Sequence, residues 1–368
     1  MILHVRSSAG LFGADRVVLD LCEMLPAQGY RCVLVPLIEA DGSGVAFMQE
    51  AVARGVPVSP LHLRRPMDFK ALYGLRKIAD ETGAALLHGH DYKSDIALFM
   101  AGKSRKRIVT LHGRVGTSRA LRLKEGLDRF VVNRFDRVLC VSQGQAEAEE
   151  KKGIRNITVV PNGIDPRPFQ SAIPVSDEYR KSLGIEPGET VVGAIGRLSE
   201  EKGYDFLLRV CARLLNDGMK FKILLAGEGP EEKSLRELAT QLGIGDRLLL
   251  TGFRRDTASL YPILDVFCMP SHREGLPLAL LEAMASGCAV AANGVGGIPE
   301  VVGRDGSCGL TLSLGDTENW VSALGDLLRN PEKRKSLGDA ARKKVNASFS
   351  REGMARGVAR VYRELLDS

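Results

Sequence analysis

The sequence predicts two α/β domains, each built on a parallel sheet. Three observations support this fold class. The chain has 368 residues, which is too long for one ordinary hydrophobic core and suits two domains. Short apolar segments alternate with helical segments from end to end, as in parallel α/β layers. Several apolar segments run straight into Gly, Ser, Asn or His, and ligands of open α/β sheets bind beyond such strand ends.

The apolar segments predict strands in both halves of the chain. In the first half we expect strands at residues 2–6, 31–37, 85–90, 107–113, 137–142 and 158–163. In the second half we expect them at 190–196, 221–227, 247–253, 265–270 and 288–293. The polar stretch from Asp165 to Gly188 holds four prolines, which is typical of an interdomain linker. The predicted domains are therefore residues 1–170 and 171–350, followed by a helix at 351–368 that can pack on either domain or cross back to the first.

The composition is that of a folded protein, with 44% hydrophobic and 26% charged residues. The N-terminus lacks a secretory pattern, so we expect the protein to stay in the cytoplasm. No apolar run approaches the roughly 20 residues of a spanning helix, so any membrane contact would be peripheral. The seven cysteines form no C-x-x-C pair and lie in apolar segments, which predicts reduced core thiols.

The net charge of +6 is unevenly distributed along the chain. Between Ala101 and Cys140, eleven Lys or Arg stand against three Asp or Glu. Within this stretch, residues 103–135 mix cationic and apolar side chains. Two interpretations stay open: docking on an anionic membrane surface, at the inner face of the membrane, or a helix that covers its own core. We predict no nucleic-acid partner.

The segment from Ser271 to Gly287 carries the strongest local signal. Pro277 suits the first position of a helix, and Gly287 suits its end. The loop 274–276 would then offer backbone N–H groups at a helix N-terminus. These groups and the helix dipole favour an anionic ligand such as a diphosphate.

Two carboxylates accompany this helix start. Glu274 and Glu282 can accept hydrogen bonds from sugar hydroxyls, although their spacing alone is weak evidence. Glu282 lies among apolar helix residues, where an unpaired carboxylate would be costly to bury. We therefore expect Glu282 to have a partner.

The motif GRLSEEKG places two cations after a strand. Arg197 and Lys202 follow Gly196 and can together neutralise a leaving nucleoside diphosphate. The alternative is an exposed pair on a solvated loop. The sequence has no Asp-x-Asp pair and no His/Cys spacing typical of a metal site, so we predict neither a metal nor a cofactor. The motif GEGPEE lacks the third glycine of a dinucleotide fingerprint, and we interpret it as a strand-to-helix turn.

The block from Glu274 to Glu282 resembles the motif of family 4 retaining glycosyltransferases, the group 1 glycosyltransferases of the GT-B fold. That fold consists of two Rossmann-like α/β domains with parallel sheets facing a central cleft. The resemblance covers nearly the whole chain and continues, in the family's order, through VVPNGID (159–165), GRLSEEKG (196–203), LLAGEGPEEKSL (224–235) and GGIPE (296–300).

The resemblance implies transfer of a sugar from a UDP- or GDP-sugar to a hydroxyl of a saccharide or lipid-linked saccharide. It implies polysaccharide or glycolipid assembly as the setting, and metal-independent chemistry. The catalytic residues it implies are Arg197, Lys202, Glu274 and His112. The donor-binding residues it implies are Gly13, Gly196, Arg197, Lys202, Glu274, Gly275, Leu276, Pro277 and Glu282.

On the acceptor side, the resemblance points to Gly10, His90 and Asn162. Gly10 and Gly13 flank a loop after the first strand and let its backbone approach a ligand, although an ordinary βα turn is the alternative. His90 and His112 each end a predicted strand, and a single such histidine is more often structural. His112 matches the family's cleft histidine near the transferred sugar.

For the mechanism we hypothesise a front-face displacement. The cations and the amides of Gly275 and Leu276 would stabilise the departing diphosphate, Glu274 would hold the sugar, and Glu282 the ribose. Two other classes stay open: a GT-B epimerase, which needs no acceptor, or a phosphorylase, which needs a pyridoxal lysine and a longer chain. A third is a non-catalytic sugar-nucleotide-binding protein, against which the intact site residues argue.

Overall fold

The computed structural model describes residues 1–8, 10–64, 68–101, 104–113, 129–170 and 176–367. The chain forms two compact units. Unit 1 comprises Met1–Gly163 together with Arg351–Ser368, and unit 2 comprises Ile164–Ser350. Within the described residues, no helix combines the length and the apolar character needed to cross a membrane.

Unit 1 is built on a parallel sheet with seven strands in its described part, in the order β3-β2-β1-β4-β5-β6-β7. These strands are β1 Ile2–Ser7, β2 Cys32–Glu39, β3 Leu61–Leu63, β4 Leu86–Gly89, β5 Lys106–Leu111, β6 Arg137–Cys140 and β7 Ile157–Val159. The helices that cover it are α1 Gly13–Met24, α2 Val45–Ala53, α3 Phe69–Glu81, α4 Tyr92–Met100 and α5 Gln143–Lys151.

Strand β1 lies in the interior of this sheet, hydrogen-bonded to β2 on one side and to β4 on the other. Its residues Ile2, Leu3 and Val5 are fully buried, as expected where helices cover both faces of a parallel sheet. The register of β1 and β4 places His4 opposite His88. Two polar rings are thereby brought together in an otherwise apolar layer.

The C-terminal helix, Arg351–Leu366, returns to unit 1 and packs on α1. Its buried face includes Val358, Val361 and the fully buried Tyr362. A Cβ at Gly357 would lie 2.9 Å from the Val160 side chain, so the helix approaches the segment after β7 closely. The hydrophobic stripe thus fixes this helix on unit 1, the second of the two placements that its sequence left open.

Unit 2 repeats the architecture, with six strands in its described part in the order β10-β9-β8-β11-β12-β13. These are β8 Val191–Ile195, β9 Lys222–Ala226, β10 Leu248–Leu250, β11 Val266–Met269, β12 Ala289–Asn293 and β13 Leu310–Leu312. The helices are α6 Arg167–Gln170, α7 Asp177–Ser182, α8 Tyr204–Asn216, α9 Glu232–Gln241, α10 Thr257–Leu260, α11 Leu278–Ser286, α12 Ile298–Val302, α13 Thr317–Arg329 and α14 Pro331–Ser348.

Both sheets have the doubly wound order in which the chain first builds outward on one side and then crosses to the other. The order reverses between β1 and β4 in unit 1, and between β8 and β11 in unit 2. Ligands of such sheets bind beyond the carboxyl ends of the strands at this switch point. Each unit therefore offers one expected binding position.

Several details differ from the sequence predictions. The first unit ends at Gly163, not near residue 170. The stretch Asp165–Gly188 is not a plain linker, because it contains α6 and α7, and Phe169 is buried against Tyr261 with 5.7 Å between ring centroids. Strands β3 and β13 were not predicted. Each has three residues and lies at a sheet edge, where an apolar pattern is too short to stand out.

Two further predictions concern single segments. Helix α11 starts at Leu278, so Pro277 caps it and is not its first residue, while Gly287 ends it at φ 82° as predicted. All seven cysteines, which lie within the described residues, are buried free thiols, as predicted. Of the basic segment 103–135, residue 103 and residues 114–128 lie outside the described residues.

The described end of that basic segment is divided between surface and core. Phe130 is 53% exposed, and the Arg134 guanidinium lies 3.3 Å from its ring centroid. Val131 and Phe135 are buried in the core of unit 1. The membrane-docking interpretation thus stays a prediction, with one exposed aromatic ring in its described part.

Candidate active site

The switch point of unit 2 joins two loops. One follows β8 and contains Arg197 and Lys202; the other follows β11 and runs to the start of α11. The loops are in direct contact, because the His272 N–H donates to the Glu201 carbonyl at 2.8 Å. Gly203 has φ 65°, and a Cβ there would lie 2.5 Å from the Pro270 carbonyl oxygen. Only glycine permits this approach.

An ion pair bridges the two loops. Lys202 Nζ lies 2.8 Å from Glu274 Oε1, with the side chains 22% and 9% exposed. Burial of Tyr204 raises the pKa of its hydroxyl, and the nearby charge of Glu274 raises it further. Arg197 is exposed on the same loop. The structure therefore brings three predicted site residues to the carboxyl ends of two neighbouring strands, β8 and β11.

The glycines of GRLSEEKG and GEGPEE pack on each other. A Cβ at Gly196 would lie 2.9 Å from the Tyr204 hydroxyl, and one at Gly227 would lie 1.9 Å from the Gly196 carbonyl oxygen. Gly229 is equally tight, with 2.1 Å to the Leu198 carbonyl oxygen. GEGPEE joins β9 to α9, so its interpretation as a strand-to-helix turn is confirmed, and its glycines serve close packing.

A third loop, after β12, supports the start of α11. The Gly297 N–H donates to the Gly275 carbonyl at 2.7 Å. Gly296 has φ 54°, and a Cβ there would lie 2.0 Å from the Glu274 carbonyl oxygen. The loop after β12 thus packs against the backbone of Glu274 and Gly275. Leu276 and Pro277 connect this backbone to the start of α11.

Glu282 lies on α11 and is 2% exposed. The Tyr261 hydroxyl donates to its Oε2 at 2.7 Å. The sequence prediction that this carboxylate has a partner is confirmed. Without such a partner, burying the charge would oppose folding strongly.

Sequence reasoning missed two polar residues of these loops. Ser271 is 1% exposed, and its hydroxyl has no hydrogen-bond partner in the described part of the chain. Asn293, at the end of β12, donates to the Pro270 carbonyl at 2.7 Å and accepts from Trp320 at 3.0 Å. Both residues stand at the ends of apolar strands, and this position in the sequence could have indicated them as site residues.

The switch point of unit 1 holds a second polar cluster. Arg6, on β1, donates to Asp15 at 2.9 Å and to the His90 carbonyl at 2.7 Å. Burial raises the pKa of Asp15, while Arg6 opposes this rise. Asp91 accepts from the Ser7 N–H at 2.7 Å and from its hydroxyl at 2.8 Å. The bonds from Arg6 to His90 and from Ser7 to Asp91 join β1 to the end of β4. Of these residues, sequence reasoning singled out only His90.

Histidines cluster beside this switch point. His4, His88 and His90 are buried, and each has a ring nitrogen within 4.8 Å of the others. His112 follows β5 and is partly buried. The sequence has no His/Cys spacing typical of a metal site, and local spacing did not indicate this cluster, because strand register brings together residues as far apart as His4 and His90. Burial lowers the pKa of His4 and of His112 to about 3, and that of His88 and His90 well below 6.5.

The remaining acceptor-side residues are more dispersed. Gly10 follows β1, and a Cβ there would lie 3.0 Å from the Phe12 ring. Gly13 is the first residue of α1. Asn162 is buried and follows β7, a strand at the edge of the sheet. Strand β7 is three strands away from β4, which borders the switch point.

Comparisons with known proteins identify the class. Residues 13–167 match the family model described as Glycosyltransferase Family 4, and residues 175–344 match that described as Glycosyl transferases group 1. The lipopolysaccharide core biosynthesis mannosyltransferase LpsB of Rhizobium meliloti is 30% identical over 258 residues, 68% of this chain and 72% of LpsB. The N-acetyl-alpha-D-glucosaminyl L-malate synthase of Bacillus anthracis is 28% identical over 312 residues, 82% of this chain and 80% of that one.

Among solved structures, Anabaena HepE in complex with UDP and glucose is similar across 99% of both chains, with a TM-score of 0.86 and 22% identity. This similarity confirms the GT-B fold. The protein is a glycosyltransferase. It belongs to the group 1 glycosyltransferases, as the five sequence motifs predicted.

Proposed function

We propose that this enzyme transfers a sugar, with retention, from a nucleoside diphosphate sugar to a hydroxyl of a saccharide or lipid-linked saccharide. The observation that carries the proposal is the Lys202–Glu274 pair at the switch point of unit 2, with Arg197 on the same loop. We propose polysaccharide or glycolipid assembly as the setting, at the cytoplasmic face of a membrane, because this setting would supply acceptors of that class.

Two cations on one loop suit a diphosphate. A guanidinium binds phosphate oxygens in pairs, and an ammonium adds a mobile point charge. The amides of Gly275 and Leu276 precede α11, where the helix dipole favours an anion. These groups would stabilise the charge that develops on the leaving diphosphate, without a metal ion.

The carboxylates suit the rest of the donor. Glu274 is anchored by Lys202 and can exchange that contact for hydroxyls of the sugar. A carboxylate accepts about four hydrogen bonds. The bond from Tyr261 therefore leaves Glu282 able to hold the ribose as well.

For the chemical step we propose a front-face displacement, in which the acceptor hydroxyl attacks from the side on which the diphosphate leaves. We assign His112 to a hydroxyl of the substrate. HepE was solved with UDP and glucose, which supports testing UDP first, with GDP as the alternative. LpsB is named for lipopolysaccharide core biosynthesis, which supports a saccharide acceptor.

A two-stage experiment tests the proposal. Melting curves with UDP, GDP, ADP and TDP identify the nucleotide, because a ligand of the native state raises the melting temperature. Labelled sugars on that nucleotide are then incubated with saccharide and lipid-linked acceptors. We expect a new α-linked product for an α-linked donor, and its loss in the Lys202→Ala variant. Epimerised donor without acceptor, or binding without any turnover, would contradict the proposal.

A further inference from the structure

A continuous hydrogen-bonded chain of rings runs through the sheet of unit 1, and we call it the histidine chain. Tyr362 Oη lies 3.4 Å from His4 Nε2, and His4 Nδ1 lies 3.0 Å from His90 Nε2. His90 Nδ1 lies 3.1 Å from His112 Nε2. A branch runs from Tyr362 Oη to His88 Nδ1 at 2.6 Å. It continues from His88 Nε2 to Thr110 Oγ1 at 2.7 Å.

All four imidazoles of the chain are uncharged near neutral pH. Burial disfavours the charged imidazolium and so lowers the pKa of each ring. A neutral imidazole carries one N–H and one bare nitrogen. Each nitrogen–nitrogen contact therefore needs one proton, supplied by one of its two rings.

Counting these protons links the rings. If His112 carries its proton on Nε2, it donates to His90 Nδ1, so His90 must carry its own proton on Nε2. That proton is donated to His4 Nδ1, and His4 then donates from Nε2 to the Tyr362 oxygen. Tyr362 in turn donates to His88, and His88 donates to Thr110. Every contact is satisfied.

The opposite arrangement is equally consistent. With the proton on Nδ1 in every ring, the direction of each contact reverses, and Thr110 donates to His88. Among the directly bonded rings His112, His90 and His4, a mixed arrangement leaves two lone pairs or two N–H groups facing each other, which is unfavourable in a buried site. The tautomer of His112 is therefore tied to those of rings buried behind it.

One end of the chain is open. His112 Nδ1 is a buried atom without a hydrogen-bond partner among the residues that the structure describes. It ends a chain whose other members are each paired at both ring nitrogens. It is therefore the atom at which the chain can meet a ligand.

We propose that His4, His90 and Tyr362 are positioning residues that hold the orientation of the His112 ring and couple its tautomer to theirs. Nδ1 of His112 then meets a substrate hydroxyl as an uncharged atom whose hydrogen-bonding role, donor or acceptor, is set by the tautomer that the chain shares. Only the naming of a sugar hydroxyl as its partner rests on the proposed function. The coupling of the rings is a property of the protein alone.

The test uses the full-length protein without substrate. Imidazole ¹⁵N shifts distinguish a protonated from a bare ring nitrogen. We expect His4, His90 and His112 to report the same tautomer in the wild type. In Tyr362→Phe the link to His88 and Thr110 is lost, and we expect the His112 shifts to move toward a mixture of tautomers. Tyr30→Phe is the matched control, because the Tyr30 ring packs against the Tyr362 ring but is not a member of the histidine chain.

Different tautomers in neighbouring wild-type rings would overturn the proposal, and so would unchanged His112 shifts in Tyr362→Phe. A tightly held equivalent of zinc in the purified protein would also overturn it, because the metal would occupy the same ring nitrogens. If Tyr362→Phe does not fold, Thr110→Val is the second variant, because it removes the hydroxyl at the end of the His88 branch. We expect it to move the ¹⁵N shifts of His112 toward a mixture of tautomers as well.

Activity provides a second readout once a donor is known. Tyr362→Phe should lower kcat about tenfold and leave KM within about twofold, since the substituted hydroxyl does not touch substrate. An unchanged kcat beside a shifted His112 tautomer would contradict the positioning role. If the wild type transfers no sugar at all, the proposed function fails, and the ¹⁵N experiment still decides the coupling.

Discussion

Lys202 Nζ lies 2.8 Å from Glu274 Oε1, and this ion pair connects the loops that follow β8 and β11. The pair is partly buried, and such a pair is weak evidence of stabilisation, because desolvation and side-chain ordering offset much of the Coulomb attraction. The pair cancels a positive charge that a diphosphate would need. If Lys202 binds the donor diphosphate, as we propose, it exchanges Glu274 for phosphate and releases the carboxylate for the sugar.

This exchange makes Glu274→Gln informative. Removing the negative charge beside Lys202 should tighten binding of the nucleoside diphosphate severalfold, by about 1 kcal/mol. Transfer should fall by about 10²-fold, because the amide holds the sugar hydroxyls less strongly than the carboxylate does. Calorimetry and initial rates measure the two effects. Parallel loss of diphosphate affinity and transfer would contradict the exchange.

The backbone behind Glu274 depends on Gly296. In Gly296→Ala the new Cβ would lie 2.0 Å from the Glu274 carbonyl oxygen, at φ 54°. We expect a loss of about 2–4 kcal/mol in the free energy of unfolding, together with weaker donor binding. Gly306→Ala is the control, since Gly306 has φ 74° with nothing within 4 Å of an added Cβ. Equal losses in the two variants would show that backbone strain alone is responsible.

Tyr261→Phe tests the partner of Glu282. The variant removes the hydroxyl that donates to a buried carboxylate at 2.7 Å. A hydrogen bond to a charged group contributes about 1.5–3 kcal/mol, and we expect a loss of this size in urea unfolding. Tyr73→Phe, at a residue 60% exposed, should change stability by less than about 0.5 kcal/mol. A loss no greater than in this control would argue against the bond.

The buried histidines predict acid lability of unit 1. Burial holds the pKa of His4 and His112 at about 3 and that of His88 and His90 well below 6.5, whereas the unfolded chain takes up protons near 6.5. Stability should therefore be complete above pH 6.5 and fall as the pH drops toward 3. Each ring contributes a slope of about 1.4 kcal/mol per pH unit. Burial raises the pKa of Asp20 to about 6, so protonation of this carboxylate below pH 6 favours the native state. This effect offsets the slope contributed by one histidine.

Urea unfolding monitored between pH 7 and pH 4 measures this slope. His4→Gln should make the pH dependence shallower by about one proton. His62→Asn, at an exposed ring, should leave it unchanged. A pH-independent free energy of unfolding over this range would contradict the neutral histidine chain.

Sequence reasoning predicted the fold and the positions of the two loops at the switch point of unit 2, because both depend on local patterns. Alternating apolar strands and helices predicted two parallel α/β domains. Glycines, prolines and charges after the strands predicted the loops that contain Arg197, Lys202 and Glu274. What it missed depends on register between distant segments. His4 and Tyr362 meet across nearly the whole chain length, and no local pattern in either segment indicates the partner.

The errors in boundaries have the same origin. Helices α6 and α7 lie in a stretch whose prolines favour a linker, but Phe169 buries its ring against Tyr261 and draws the segment into unit 2. Edge strands β3 and β13 are stabilised by pairing with β2 and β12, not by their own short apolar runs. In each case tertiary packing overrides local preference.

Calorimetric titration with UDP and with UMP measures whether Arg197 and Lys202 hold the donor diphosphate, as we propose. In Arg197→Gln and in Lys202→Gln, the affinity for UDP should fall at least about tenfold, while the affinity for UMP changes much less. Lys233→Gln, at a residue 88% exposed on α9, controls for the loss of one charge and should leave both affinities unchanged. If GDP is the nucleotide identified by melting curves, GDP and GMP replace UDP and UMP. Equal affinity for the diphosphate in wild type and both variants would contradict the account.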